Sequence, residues 1–111
     1  MSVKIKKEGR IMIISISGDL DQHNAEFVRR KIDYELIKYP IRYLIFNLSE
    51  LEFMDSSGIG VILGRYKQIK NFNGKAAIVK ASPQIRRIFE LSGVFKIIPE
   101  FSSVNEAIGN I

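Results

Sequence analysis

The feature that most constrains the fold is a nearly continuous apolar run at residues 41–48, with the sequence IRYLIFNL. A strand with one solvated face alternates polar and apolar side chains, whereas this run offers apolar side chains to both faces. Strands of that kind lie in parallel sheets, because the helical crossovers between parallel strands cover both faces of the sheet. Residues 41–48 therefore predict a central strand of an α/β protein.

Helical patterns flank this run on both sides. Residues 23–38 repeat apolar side chains at spacings of three and four, and Pro40 closes that segment. Residues 56–71 show the same spacing after the sequence MDSSG. The buried stripes predicted for these two helices are Ala25, Val28, Ile32 and Leu36 in the first, and Ile59, Ile62, Leu63, Tyr66 and Ile69 in the second.

Four further segments have strand character. The sequences VKIKK (3–7) and RIMIISISG (10–18) are joined by a short turn, which predicts an antiparallel hairpin. The sequence GKAAIV (74–79) predicts another strand, and FKII (95–98) predicts the last one. The hairpin supplies the only antiparallel pairing that we expect, at one edge of the sheet.

Two more helices are predicted from their end signals. Ser82 is a helix cap, Pro83 occupies the first helical position, and Gly93 supplies a left-handed stop. Ser103 and Glu106 form a capping box for a short final helix. The predicted order is therefore β-β-α-β-α-β-α-β-α. This is one α/β domain over residues 1–111, with a mostly parallel sheet of four to five strands, an antiparallel edge strand and four helices.

Composition narrows the function classes. The chain has 111 residues, no cysteine and one histidine, so metal ligation has little support. No apolar run approaches the ~20 residues that span a bilayer, and the N-terminal MSVKIKKEGR alternates instead of resembling a signal peptide. The net charge of +5 is spread along the chain. We expect a cytoplasmic protein with no membrane contact, no direct nucleic-acid contact and no cofactor.

The helix after MDSSG carries an unusual pattern of glycines. Its face opposite the apolar stripe runs from Ser56 through Gly60 and Gly64, and Gly58 lies in the first turn. Each interior glycine costs ~1 kcal/mol relative to alanine, so a bare backbone here suggests a surface pressed against a partner. An ordinary helix cap at Asp55 or Ser56 and packing against a neighbouring helix are the alternative explanations.

A phosphoryl group on Ser56 suits this position chemically. The free N–H groups and positive dipole of a helix N-terminus favour an anion, and the group adds ~1.5 to 2 negative charges. Asp55 is adjacent, and Asp21 follows a strand whose end we expect at the same edge of the sheet. The pattern predicts a phosphorylation switch that acts on an interface.

The sequence FMDSSGIGVILGRYKQIK (53–70) strongly resembles the core motif of the anti-sigma factor antagonists of the STAS-domain family, particularly those of the sporulation sigma-F system. The sequences SGDLDQHNAE (17–26) and SPQIRRIFELSGVFKII (82–98) resemble the family's second-strand loop and its third helix with the last strand. The resemblance covers nearly the whole chain.

This resemblance implies a partner switch. The unmodified protein binds an anti-sigma factor that is also a serine kinase, and sigma is released. The kinase consumes ATP to phosphorylate Ser56, binding is lost, and a phosphoserine phosphatase reverses the modification. By position, the resemblance implies the partner-binding residues Asp21, Asp55, Ser56, Ser57, Gly58, Gly60, Gly64 and Arg65. We expect the free protein to be a monomer.

Other functions have less support in the same residues. Asp21, His23 and Ser56 contain the groups of a hydrolase triad, but no G-x-S-x-G elbow is present. The chain has no Walker P-loop and no G-x-G-x-x-G after a strand. We therefore expect no enzymatic activity. A STAS-type regulatory module of a different stress-signalling partner switch is the alternative function.

Overall fold

The computed structural model describes residues 1–110, which form one mixed sheet covered by helices. The strands are β1 Ser2–Glu8, β2 Ile11–Leu20, β3 Tyr43–Asn47, β4 Leu51–Met54, β5 Lys75–Val79 and β6 Glu100–Phe101. The α-helices are α1 Ala25–Lys38, α2 Ser56–Lys70, α3 Pro83–Ser92 and α4 Val104–Ile108, and a 3-10 helix spans Val94–Lys96.

The sheet is mostly parallel with an antiparallel edge. Its strand order is β1-β2-β3-β5-β6, and β4 pairs separately with β2. β1 runs antiparallel to β2, whereas every other pairing is parallel. Across the centre, Ile13 pairs with Ile45 and Ile45 pairs with Ala77. The predicted fold class and hairpin are confirmed.

Both faces of β3 are buried, as its apolar sequence predicts. Leu44 and Phe46 point into the larger core, which contains the buried faces of α1, α2 and α3. Tyr43 and Ile45 point into a second, smaller core under α4. Successive side chains of a strand point to opposite faces of the sheet. The continuous apolar run therefore supplies apolar side chains to both cores.

Two segments differ from the sequence prediction. No strand is predicted at residues 51–54, but the four residues of β4 pair with the end of β2 through a register shift between Gly18 and Asp19. FKII was predicted to be the last strand, and that prediction is wrong. Val94 and Ile98 are both buried, and this spacing of four suits a helical turn. The last strand follows instead at Glu100–Phe101.

The buried stripe of α2 also differs in phase from the prediction. Its buried residues are Gly58, Val61, Ile62, Arg65 and Ile69. The predicted Ile59, Leu63 and Tyr66 are only partly buried against the same core. The buried face of α2 is therefore rotated by about one residue from the predicted one. The difference arises because Gly58 and Arg65 are buried, although a hydrophobicity pattern assigns both to the surface.

Candidate functional site

The candidate site lies where β2 and β4 end, and Asp55 joins its two segments. The Asp55 Oδ1 accepts a hydrogen bond from the N–H of Ser57 at 2.8 Å, which caps α2. The Asp55 Oδ2 accepts from the N–H of Gln22 at 3.1 Å, in the loop between β2 and α1. One carboxylate therefore holds the start of α2 against the neighbouring loop.

The loop that contains Asp21 is ordered by its own short side chains. The Asp21 Oδ1 accepts from the N–H of Asn24 at 3.0 Å, and the amide of Asn24 donates to the carbonyl of Asp19 at 2.9 Å. Asp21 and Asp55 line one shallow, open depression together with Gln22, His23 and Phe53. The structure thus brings the predicted loop residue and the start of α2 to one edge of the sheet.

Ser56 and Ser57 have different environments at the start of α2. Ser56 is exposed, whereas Ser57 is half-buried and its N–H is bound by Asp55. Because Ser56 is the first residue of the helix, its hydroxyl stands at the positive end of the helix dipole. Of the two serines, Ser56 is the one that is open to a second protein.

Gly60 and Gly64 form a smooth strip on the outward side of α2. A Cβ placed on either residue would have no contact within 4 Å in residues 1–110 beyond the backbone of its own helix and its chain neighbours. Their φ angles do not lie in the left-handed region that favours glycine. Neither packing nor backbone conformation within the described structure therefore requires glycine at these two positions.

Gly58 and Arg65 do not belong to the exposed surface and require a correction. A Cβ on Gly58 would lie 2.5 Å from the Cγ of Met54 and 2.7 Å from the carbonyl oxygen of Leu20. Glycine at this position lets α2 pack closely on the ends of β2 and β4. The geometry gives Gly58 a packing role and leaves it no surface for a partner.

Arg65 is 7% exposed and lies between α2 and α1. Its Nε lies 3.0 Å from a carboxylate oxygen of Asp33 and donates to the side-chain oxygen of Gln68 at 3.2 Å. Burial lowers the pKa of the Arg65 guanidinium below its ordinary value, and the Asp33 carboxylate opposes that shift. In this structure Arg65 joins two helices instead of facing a partner.

The edge does not contain the connected groups of a hydrolase. Within residues 1–110, no hydrogen bond joins His23 to a carboxylate or to Ser56. The same residues contain no cluster of three metal-ligating side chains. None of their helices has the length and apolar character needed to cross a membrane.

Phe53 is the residue at this edge that the sequence analysis missed. It is 45% exposed and borders the depression beside Asp21 and Asp55. Leu51 and Met54 are buried, whereas Glu52 and Phe53 are exposed, so burial along β4 does not alternate. The register shift against β2 interrupts the alternation, and no pattern in the sequence indicates that irregularity.

The match to a family model defines the class of protein. The model, described as the STAS domain, matches residues 2–107. The chain therefore belongs to the STAS domain family. Several curated relatives of this chain are named for one biological role, whereas the solved structures with a similar fold also include an anion transporter of the solute carrier 26 family.

These relatives are anti-sigma factor antagonists, as the sequence resemblance indicated. The anti-sigma F factor antagonist of Paenibacillus polymyxa is 34% identical over 108 residues, which are 97% of this chain and 92% of the relative. The structure of the anti-sigma factor antagonist SpoIIAA in its unphosphorylated form has a TM-score of 0.86 and 29% identity, and the match covers 98% of this chain and 95% of that chain. The phosphorylated form of SpoIIAA from Bacillus has a TM-score of 0.77 and 29% identity, with 98% of each chain covered.

Proposed function

We propose that this chain is an anti-sigma factor antagonist that acts by partner switching. Its unphosphorylated form binds an anti-sigma factor, which then releases its sigma factor. That anti-sigma factor is also a serine kinase, and phosphorylation of Ser56 ends the interaction. A phosphoserine phosphatase restores the binding form.

One observation carries the proposal for the site. The exposed Ser56 begins a helix whose outward strip continues through Gly60 and Gly64, where added side chains would meet open space. Each glycine costs the helix ~1 kcal/mol relative to alanine, and the fold gains no packing from them. A second protein that approaches the backbone closely would account for both positions, with Ser56, Ser57, Asp55 and Asp21 around the contact.

The phosphoryl transfer needs only the kinase and its nucleotide. The Ser56 Oγ attacks the γ-phosphorus of ATP, a base of the kinase accepts the hydroxyl proton, and the bond between the γ-phosphorus and the bridging oxygen breaks so that ADP leaves. The kinase supplies the ATP, so the chain itself holds no cofactor and catalyses no reaction. The anion formed lies at a helix N-terminus, which accommodates negative charge without disturbing the fold.

The same geometry explains how phosphorylation would weaken binding. For transfer, the nucleotide phosphates must reach the Ser56 hydroxyl, so ADP remains opposite the new phosphoserine. The added ~1.5 to 2 negative charges then face the nucleotide and adjoin Asp55, and the partner surface fitted to a bare hydroxyl no longer fits. On this proposal the chain acts in the cytoplasm as a monomer when free, with no membrane or direct nucleic-acid contact.

Mass spectrometry tests the assignment of the acceptor. The purified chain is incubated with the cognate anti-sigma factor and ATP, and the phosphopeptide covering residues 53–70 is sequenced. We expect phosphate on Ser56, retention of phosphorylation in Ser57→Ala, and none in Ser56→Ala. Phosphate found only on Ser57 would show that the acceptor is misassigned, and a chain that takes no phosphate would contradict the switch.

A further inference from the structure

We infer that Phe53 is the aromatic anchor of the anti-sigma factor interface, and that the surface it meets is an apolar pocket bordered by basic side chains. This inference rests on the proposed function, because it describes the partner of the same edge. It extends the interface from the start of α2 to the outer face of β4, and it specifies the chemistry of the partner.

Phe53 contributes little to the fold that holds it. Its neighbour Met54 is 2% exposed and packs in the larger core, whereas Phe53 is 45% exposed and belongs to neither core. In the pairing of β4 with β2, Phe53 lies opposite Asp19, just after the register shift. The strand therefore turns Leu51 and Met54 inward and presents the aromatic side chain to solvent.

Phe53 also differs from the other exposed aromatic residues. A lysine or arginine of the chain lies over each of the other four rings: Lys31 over Phe27, Lys38 over Tyr34, Lys7 over Tyr39 and Arg42 over Phe72. Phe53 has no such cation in the part of the chain that the structure describes. Its ring face is the one left free for a cation or an apolar group from another molecule.

The charges around Phe53 indicate a basic partner. Four carboxylates lie beside Phe53, in β2 and β4 or directly after these strands, and no ion pair within residues 1–110 engages them. They are Asp19, Asp21, Glu52 and Asp55. This edge is acidic although the chain carries a net charge of +5. Complementary charge guides encounter and specificity at protein interfaces. An exposed aromatic side chain surrounded by polar residues, as Phe53 is here, is typical of a binding hot spot.

Calorimetry with the ADP-bound anti-sigma factor tests the anchor. We expect Phe53→Ala to weaken binding at least tenfold, which corresponds to ~1.4 kcal/mol. Phe72→Ala is the matched control, because Phe72 is also exposed but lies over Arg42 in a different part of the chain, and we expect its affinity to stay within about twofold of wild type. If alanine destabilises β4, Phe53→Thr keeps a strand-favouring residue and should show the same loss.

Salt and charge variants test the basic character of the partner. Affinity should fall as salt rises from about 0.05 M to about 0.5 M, and Glu52→Gln should reduce that dependence. Glu90→Gln, on the exposed side of α3, is the control. Binding that does not respond to salt would overturn the basic pocket.

The outcomes separate this inference from the proposed function. If wild type binds, Ser56→Asp does not, and the Phe53 variants bind like wild type, the anchor is wrong and the switch stands. If the wild-type chain itself fails to bind the anti-sigma factor, the proposed function is wrong. Loss of binding in the Phe53 variants, with Phe72→Ala unaffected, supports the anchor.

Discussion

Asp55 shows how one side chain can serve both a helix and the interface beside it. Its two carboxylate oxygens accept hydrogen bonds from the N–H groups of Ser57 and Gln22. Ser57 is two residues from Asp55 along the chain, whereas Gln22 is 33 residues away. The helix cap follows from the sequence, since aspartate before a helix is a common cap. The bond to Gln22 depends on the pairing of β4 with β2, which sequence pattern did not predict.

Replacement of Asp55 should cost more than loss of an ordinary cap. We expect Asp55→Ala to lower the free energy of unfolding by about 2 kcal/mol, because the cap and the loop bond are both lost. Ser82→Ala is the control, since Ser82 caps α3 through one bond to the N–H of Ile85 and should cost about 1 kcal/mol. Urea denaturation measures both values, and equal losses would mean that the Gln22 bond adds no stability.

At the scale of the element, α2 separates glycines required by packing from those that are not. Gly58, Gly60 and Gly64 look alike in the sequence, because spacing alone does not show which face a neighbouring strand approaches. The structure places Gly58 against Met54 and Leu20, and the other two in the open. Arg65 was expected at the surface for a related reason. An arginine is usually exposed, and the sequence does not show that this one pairs with Asp33.

Alanine substitutions should therefore have opposite effects along this helix. We expect Gly60→Ala to raise the free energy of unfolding by about 1 kcal/mol, since alanine favours the helix and meets open space. Gly58→Ala should lower it by about 1–3 kcal/mol, because the added methyl overlaps Met54 and the Leu20 carbonyl. Thermal and urea denaturation measure the two changes, and destabilisation by Gly60→Ala would show that this strip serves the protein's own fold.

A larger side chain at Gly60 tests the docking role of the same strip. Gly60→Leu should melt close to the wild-type temperature, because its Cβ has free space. It should bind the anti-sigma factor at least tenfold more weakly, a loss of about 1.4 kcal/mol, because the leucine separates the two backbones. Calorimetry measures the affinity, and circular dichroism measures the melting temperature. Normal binding by a folded variant would contradict a close approach of the anti-sigma factor to the α2 backbone.

At the scale of the whole molecule, the sheet joins two cores of unequal size. The larger one holds α1, α2 and α3, and the smaller one is closed by α4. Tyr43 connects the layers of the smaller core, since its hydroxyl donates to the carbonyl of Ala107 at 3.2 Å. Burial raises the pKa of the Tyr43 hydroxyl above its ordinary value.

This shift predicts a specific loss of stability in alkali. The Tyr43 contribution is complete below the unfolded-state pKa of about 10 and is lost as pH rises from there through the higher folded-state pKa, because the unfolded chain releases the proton first. The stability advantage of wild type over Tyr43→Phe should be about 1 kcal/mol near neutral pH and should shrink above about pH 10. Urea denaturation across this range checks it. A constant gap for Tyr43→Phe would contradict the assignment.

The whole architecture was more predictable than its details. The apolar run of β3, the hairpin and the end signals at Ser82, Gly93 and Ser103 indicated the α/β class and nearly every helix, because these signals are local. The ends of α3 and α4 agree with their caps. β4 and β6 are short strands that exist through pairing with neighbours, so local pattern could not reveal them. The acidic edge around Phe53 depends on that same pairing.

The most direct test of the central claim is a calorimetric comparison of wild type and Ser56→Asp against the ADP-bound anti-sigma factor. The charge enters the first turn of α2, where a carboxylate suits the helix dipole, so the fold should remain intact. We expect the variant to bind at least tenfold more weakly, a loss of about 1.4 kcal/mol or more. Ser49→Asp, at another exposed serine, should bind nearly as wild type does. Equal affinity of Ser56→Asp and wild type would contradict a switch that works through negative charge at the start of α2.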